Sequence, residues 1–155
     1  MQALDQTIID ALQDLLSREA TFMECTHTQE HYWQSRGYKK LKKWFDSLVS
    51  DSRDRKRRLI DRLFQYDGVT VAIATASVYA WTNVPDAFSN TLNYLTDLNT
   101  AYQNALVICE KASDETNIDL LNDAQYVVQK SISKFEARSK QLADLGAAVY
   151  LSTLI

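Results

Sequence analysis

The first helix carries the residues whose types and spacing could do chemistry. Glu24-Cys25-Thr26-His27 is a Glu-x-x-His pattern, and His31 follows His27 at i+4, so all three lie on one helix face. Two imidazoles one turn apart can chelate Zn, Ni or Cu, with Glu24 or Glu30 adding oxygen. The competing reading is a set of solvated surface residues, since no second cluster exists elsewhere. These are the only 2 histidines, which gives acid–base catalysis little support. No phosphate-binding loop, nucleophile elbow or catalytic triad is visible. The 2 cysteines, Cys25 and Cys109, are too few for a disulfide scaffold or a zinc site, and read as buried thiols.

The elements that must position these residues are helices. Among 155 residues there are 3 Gly and 1 Pro, against 46% hydrophobic content. A sandwich, a barrel or a Rossmann sheet needs more turns than this chain can make. Apolar residues recur at helical spacing in four runs. The first, about 3–36, contains Leu4, Ile8, Leu12, Leu15, Phe22 or Met23, and Trp33; Gly37 is its joint to the next. The second, about 38–67, contains Leu41, Phe45, Leu48, Leu59 and Leu63, with Gly68 expected as its C-terminal stop. The third, about 85–112, starts at Pro85-Asp86 and contains Phe88, Leu92, Leu95, Leu98, Tyr102 and Ala105. The fourth, about 117–143, contains Ile118, Leu121, Val128, Ile132, Phe135 and Leu142. A short apolar fifth helix, about 146–153, follows Gly146.

Between the second and third runs, residues 69–84 lose the 3.6 period and become β-branched and small. An extended stretch of about 16 residues reaches roughly 50 Å, and a helix of 30 residues is about 45 Å long. Two helical hairpins joined by one long crossover follow, the ferritin-like variant of the four-helix bundle, as a single domain over 1–155. Val69, Val71, Ile73, Val78, Tyr79 and Trp81 in the crossover, together with the tail, either exceed what one bundle covers and predict self-association, or simply cover their own bundle.

Charge is uneven. Residues 36–62 hold 11 of the 17 basic residues against four acids, a segment of +7 in a chain of net −3, so the remainder is −10. That second helix could meet a polyanion such as nucleic acid, but equally acidic faces of neighbouring subunits. Met1-Gln-Ala-Leu-Asp5 lacks the basic, then apolar, pattern of a secretory leader, and no stretch reads as a membrane span, so a cytoplasmic location is expected.

Leu15-Leu-Ser-Arg-Glu19, Gly37-Tyr-Lys-Lys-Leu41, Leu59-Ile-Asp-Arg-Leu-Phe-Gln-Tyr-Asp-Gly68 and the tail's Leu145-Gly146 with Tyr150-Leu151 resemble bacterioferritins in one register along nearly the whole chain. Trp33-x-x-x-Gly37 and Asp114-Glu-Thr-Asn-Ile-Asp-Leu-Leu121 also resemble the DNA-protecting miniferritins, whose crossover is longer and carries a helix. Such families oxidise Fe(II) at a di-iron centre built from one Glu on each of two helices and a Glu-x-x-His on each of the other two. In the bacterioferritin register those six positions fall on Glu19, Ser52, Arg55, Leu95, Val128 and Ser131, and the haem-ligating Met position falls on Arg53. Only Glu19 is of ligand type. The resemblance therefore implies a cage or shell subunit without its own oxidation centre and without haem. It would be a homo-oligomer or would co-assemble with a ferritin-like paralogue, iron entering only as mineral. The alternatives are a ferritin-fold interaction protein with no iron function and a polyanion binder. Periodicity also places Glu19 on the inward stripe, where a lone carboxylate costs several kcal/mol. Arg55 projects toward the same layer; either it pairs with Glu19, or it reaches solvent and leaves Glu19 protonated or wet.

Overall fold

The computed structural model describes residues 5–155, so the expected helix start at Ala3 and Leu4 lies outside the described residues. Five helices follow in order: α1 Gln6–Ser35, α2 Lys39–Leu63, α3 Val84–Lys111, α4 Glu115–Leu145 and α5 Ala147–Ser152. Three N-termini are capped by side chains that satisfy otherwise orphaned N–H groups. Asp5 accepts from the N–H groups of Thr7 and Ile8, Asn83 from Asp86, and Asp114 from Asn117. Asp114 thus starts α4 inside the stretch expected to be a polar break, because its carboxylate caps the first turn.

α1 and α2 pack as one hairpin and α3 and α4 as the other, with α1 against α3 and α2 against α4. The predicted stripes meet in one core: Leu12, Leu15, Phe22, Leu41, Phe45, Leu59, Phe88, Leu95, Tyr102, Leu121, Val128 and Phe135 are all buried. Near one end, Phe135 of α4 stacks edge-on against Phe45 of α2 (5.8 Å) and Phe88 of α3 (5.6 Å). Tyr150 of α5 adds to this aromatic cluster against Phe88 at 6.0 Å.

The second helix ends four residues earlier than its sequence pattern suggested, and Gly68 is not its C′ residue. Phe64 caps α2, and the chain turns through 64–68, where Gly68 takes φ +71°. Tertiary packing sets this boundary. The turn folds Tyr66 back into the bundle end (4% exposed), where its hydroxyl accepts from Asn117 Nδ2 at 2.7 Å and Arg62 Nη2 at 3.2 Å. Arg62 Nε also donates to Asn117 Oδ1 at 2.7 Å, so the last turn of α2 is tied to the first of α4.

The crossover then runs extended along α1 from residue 69 to 83. Its anchors are polar side chains at i, i+4 and i+8 of α1. Gln13 accepts from the Ala72 N–H at 2.9 Å, Ser17 from Ala74 at 2.9 Å, and Thr21 from Ala76 at 3.1 Å. Two extended residues rise about 6.6 Å and four helical residues about 6.0 Å, so alternate amides stay in step with one helix face. Further along, Tyr32 Oη donates to the Thr82 carbonyl at 3.0 Å. The chain therefore travels parallel to α1, and α3 returns antiparallel to it.

Surplus apolar surface is narrower than the sequence reading expected. Val69, Val71 and Trp81 pack partly on the bundle, while Ile73 (45%) and Tyr79 (74%) stand exposed. In the tail, Tyr150 and Leu154 are buried, and Lys40 of α2 donates to the Thr153 carbonyl. Leu145, Val149 and Ile155 remain as large exposed apolar side chains there.

Candidate functional site

Halfway along the bundle, three side chains from two helices converge on one carboxylate of a third. Glu19 of α1 is fully buried. Arg55 of α2, 3% exposed, donates its Nε to Glu19 Oε1 at 2.8 Å. Ser52, one turn earlier on α2, places Oγ 2.8 Å from Glu19 Oε2 and 3.1 Å from the Glu19 carbonyl. Tyr102 of α3 donates to Oε1 at 3.3 Å. Arg55 therefore lies in the core with Glu19 and does not extend to water.

Each position follows from helical spacing. Glu19 sits on the inward stripe of α1 with Leu15, Leu16 and Phe22, and Ser52 and Arg55 lie between Leu48 and Leu59 on α2. Leu95, Val128 and Ser131, the other three positions of the expected ligand set, are also buried, at 0%, 0% and 7% exposure. They contribute two aliphatic walls and a hydroxyl, with no carboxylate or imidazole.

Burial pushes the Glu19 carboxyl above its ordinary value, against the pull of the Arg55 guanidinium and the hydroxyls of Ser52 and Tyr102. Burial also disfavours the charge on Arg55, but the Glu19 carboxylate outweighs it and holds Arg55 above its usual value. A guanidinium is charged at any working pH, so a neutral Glu19 would leave a buried cation alone. We therefore read the pair as ionised. Arg55 Nη2 has no hydrogen-bond partner among the described residues. Burial and the Glu19 carboxylate raise the Tyr102 hydroxyl well above its usual value, so Tyr102 serves here as a neutral donor.

The chain matches the family model described as a ferritin-like domain over residues 9–145. The chain belongs to the ferritin family. No curated protein matches it. Ferritin-family iron oxidation draws on carboxylates and imidazoles from facing helices, and here the facing groups are a guanidinium, hydroxyls and aliphatic side chains. Among the described residues, no group of three or more His, Cys, Asp or Glu side chains is arranged to hold a metal ion. The donor set at the centre of this ferritin-family bundle does not fit two iron ions. Its single carboxylate is already bonded to a cation.

The remaining candidates lie elsewhere. Glu24, His27 and His31 are exposed on α1, away from the buried cluster, and the two histidine Nε2 atoms approach to 3.1 Å. Glu30 pairs with Lys42 at 3.8 Å. Arg53, at the haem-ligand position, is exposed. The basic second helix is largely engaged within the chain. Arg57 and Arg58 both bond Asp54, and Arg55 and Arg62 are buried in polar networks. Arg36 lies over the Tyr32 ring. Lys39, Lys43, Arg53 and Lys56 have no such contact among the described residues.

Sequence reasoning missed Tyr102 as a participant, reading it as one more apolar member of the α3 stripe. The available signal was its hydroxyl, which a buried tyrosine must satisfy. The Arg62–Asn117–Tyr66 network was missed as well. Its signal was an asparagine and an arginine on faces that pack, too far apart in sequence to be matched by spacing.

Proposed function

We propose that this chain is a bacterioferritin-like shell subunit of the cytoplasm that has no oxidation centre of its own. The observation that carries the reading is the Arg55–Glu19 bond at 2.8 Å in the buried middle of the bundle. A guanidinium supplies at that point the positive charge that a metal ion would otherwise bring, so the fold keeps its one inward carboxylate without binding iron there. An arginine at position 53 offers no thioether to haem. Iron then reaches such an assembly as substrate oxidised elsewhere, by a competent ferritin-like paralogue in the same shell, and is kept as mineral against acidic surfaces.

Assembly draws support from the outer side of the crossover. Its even-numbered amides, at 72, 74 and 76, bond α1. In an extended chain the odd-numbered amides face the other way. Those of Val71, Ile73 and Thr75 have no partner among the described residues. An open strand edge flanked by exposed Ile73 and Tyr79 is suited to pairing with a second subunit. No helix among the described residues is long and apolar enough to cross a membrane.

Light-scattering mass on a size-exclusion column, with Fe(II) oxidation assayed on the same peak, tests the reading. A large particle that leaves the oxidation rate at its protein-free value is expected. A monomer overturns the shell role, and oxidation faster than in buffer overturns the absence of a centre.

A further inference from the structure

The exposed histidines of α1 form a constellation that the buried cluster does not use. His27 and His31 present Nε2 to Nε2 at 3.1 Å, with ring planes at 78° and centroids 4.6 Å apart. The rings therefore meet edge to face, with the two nitrogens within hydrogen-bond distance of each other. At metal–nitrogen bonds of about 2.0–2.1 Å, two cis ligands lie about 2.9 Å apart at a square-planar centre and about 3.4 Å at a tetrahedral one. The observed separation falls between these.

The backbone beneath them is held in place. On the opposite face of the same two turns, Cys25, Thr26, Gln29 and Trp33 are all buried at 3% exposure or less. Trp33 Nε1 donates to Gln29 Oε1 at 3.1 Å, and Thr26 Oγ1 bonds the Phe22 carbonyl. The i, i+4 spacing of the imidazoles thus cannot drift. Cys25 belongs to that buried face and does not reach a metal held between the exposed imidazoles. Glu24 precedes His27 by one turn on the same exposed face, and no ion pair engages it among the described residues.

We propose that His27 and His31 form a two-imidazole chelate for a late first-row divalent cation. The affinity order Cu2+ above Ni2+ and Zn2+ follows from the general preference of nitrogen ligands. Water completes the coordination, since no third protein ligand is in place among the described residues. A neutral imidazole that carries its proton on Nδ1 offers its Nε2 lone pair to the ion. The site is independent of the shell reading: it needs only the folded first helix.

Titration of the purified chain with CuCl2 in a non-coordinating buffer tests it, read by calorimetry and by the paramagnetic resonance of bound Cu2+. One ion per chain is expected, with a spectrum showing two coupled nitrogens. Replacing a second-shell partner costs about 10–100-fold in metal affinity, so removing a ligand must cost at least that. His27→Ala and His31→Ala should therefore each weaken binding by at least about tenfold, and the double variant should abolish it. Both side chains are exposed, so the variants should keep the parent's helicity and particle mass. Stoichiometric binding that survives in the double variant overturns the site, as does a parent chain that binds no ion.

Discussion

Glu19 shows how one residue can be read from sequence while its surroundings are not. Its inward position follows from the stripe Leu15, Leu16, Phe22, and an unpartnered carboxylate there is expensive, so a partner is required. Arg55 was identifiable because it occupies the same layer of α2. Tyr102, on α3 and 83 residues away, was not, since no local pattern connects it to Glu19. Removing one member of a buried pair strands the other, at about 3–5 kcal/mol. Glu19→Ala and Arg55→Ala should each lose about that much in denaturant unfolding, and the double variant should lose less than the sum. Strictly additive losses would show that the two charges do not stabilise each other. Burial likewise sets the thiols: Cys25 is raised to about 12 and Cys109 to about 11, so both are protonated at pH 8. Labelling with a thiol-specific disulfide reagent should be slow on the native chain and complete for both cysteines after denaturation. Immediate labelling of the native chain contradicts this burial.

At the scale of elements, the helices were legible because their apolar period is long and their joints carry Gly37, Pro85 and Gly146. The end of α2 was not. The apolar and basic pattern runs on to Asp67, but burial of Tyr66 against Asn117 and Arg62 stops the helix at Leu63. The crossover's extended form was readable from its β-branched composition. Its path was hidden in Gln13, Ser17 and Thr21, polar residues at i, i+4 and i+8 that resemble an ordinary half-exposed face. Each side chain–amide bond contributes about 0.5–1.5 kcal/mol. A triple variant Gln13→Ala, Ser17→Ala, Thr21→Val should leave the bundle helical yet open the crossover to proteases, with the first cuts between residues 70 and 80. Unchanged protease resistance would mean that these bonds do not hold the crossover.

For the whole molecule, the charge asymmetry and surplus apolarity seen in the sequence turn out to be mostly used inside the chain. Arg55, Arg57, Arg58 and Arg62 are bonded within it, and Tyr150 and Leu154 cover their own bundle end. Left outward are the crossover edge around Ile73 and Tyr79, Leu145, Val149 and Ile155 near the C-terminal end, and Phe64, Val107 and Tyr126 on the bundle. Ile73→Lys with Tyr79→Lys should lower the particle mass in light scattering without changing helicity, since neither side chain is in the core. An unchanged mass would place the assembly contact elsewhere. We propose that the Arg55 guanidinium takes the place of a metal at the middle of this ferritin-family bundle. The most direct test is the aerobic oxidation rate of Fe(II) added to the purified parent protein, followed by absorbance against a protein-free control. Superimposable traces are expected for the parent, for Glu19→Ala and for buffer. A faster trace for the parent that is lost in Glu19→Ala would contradict it.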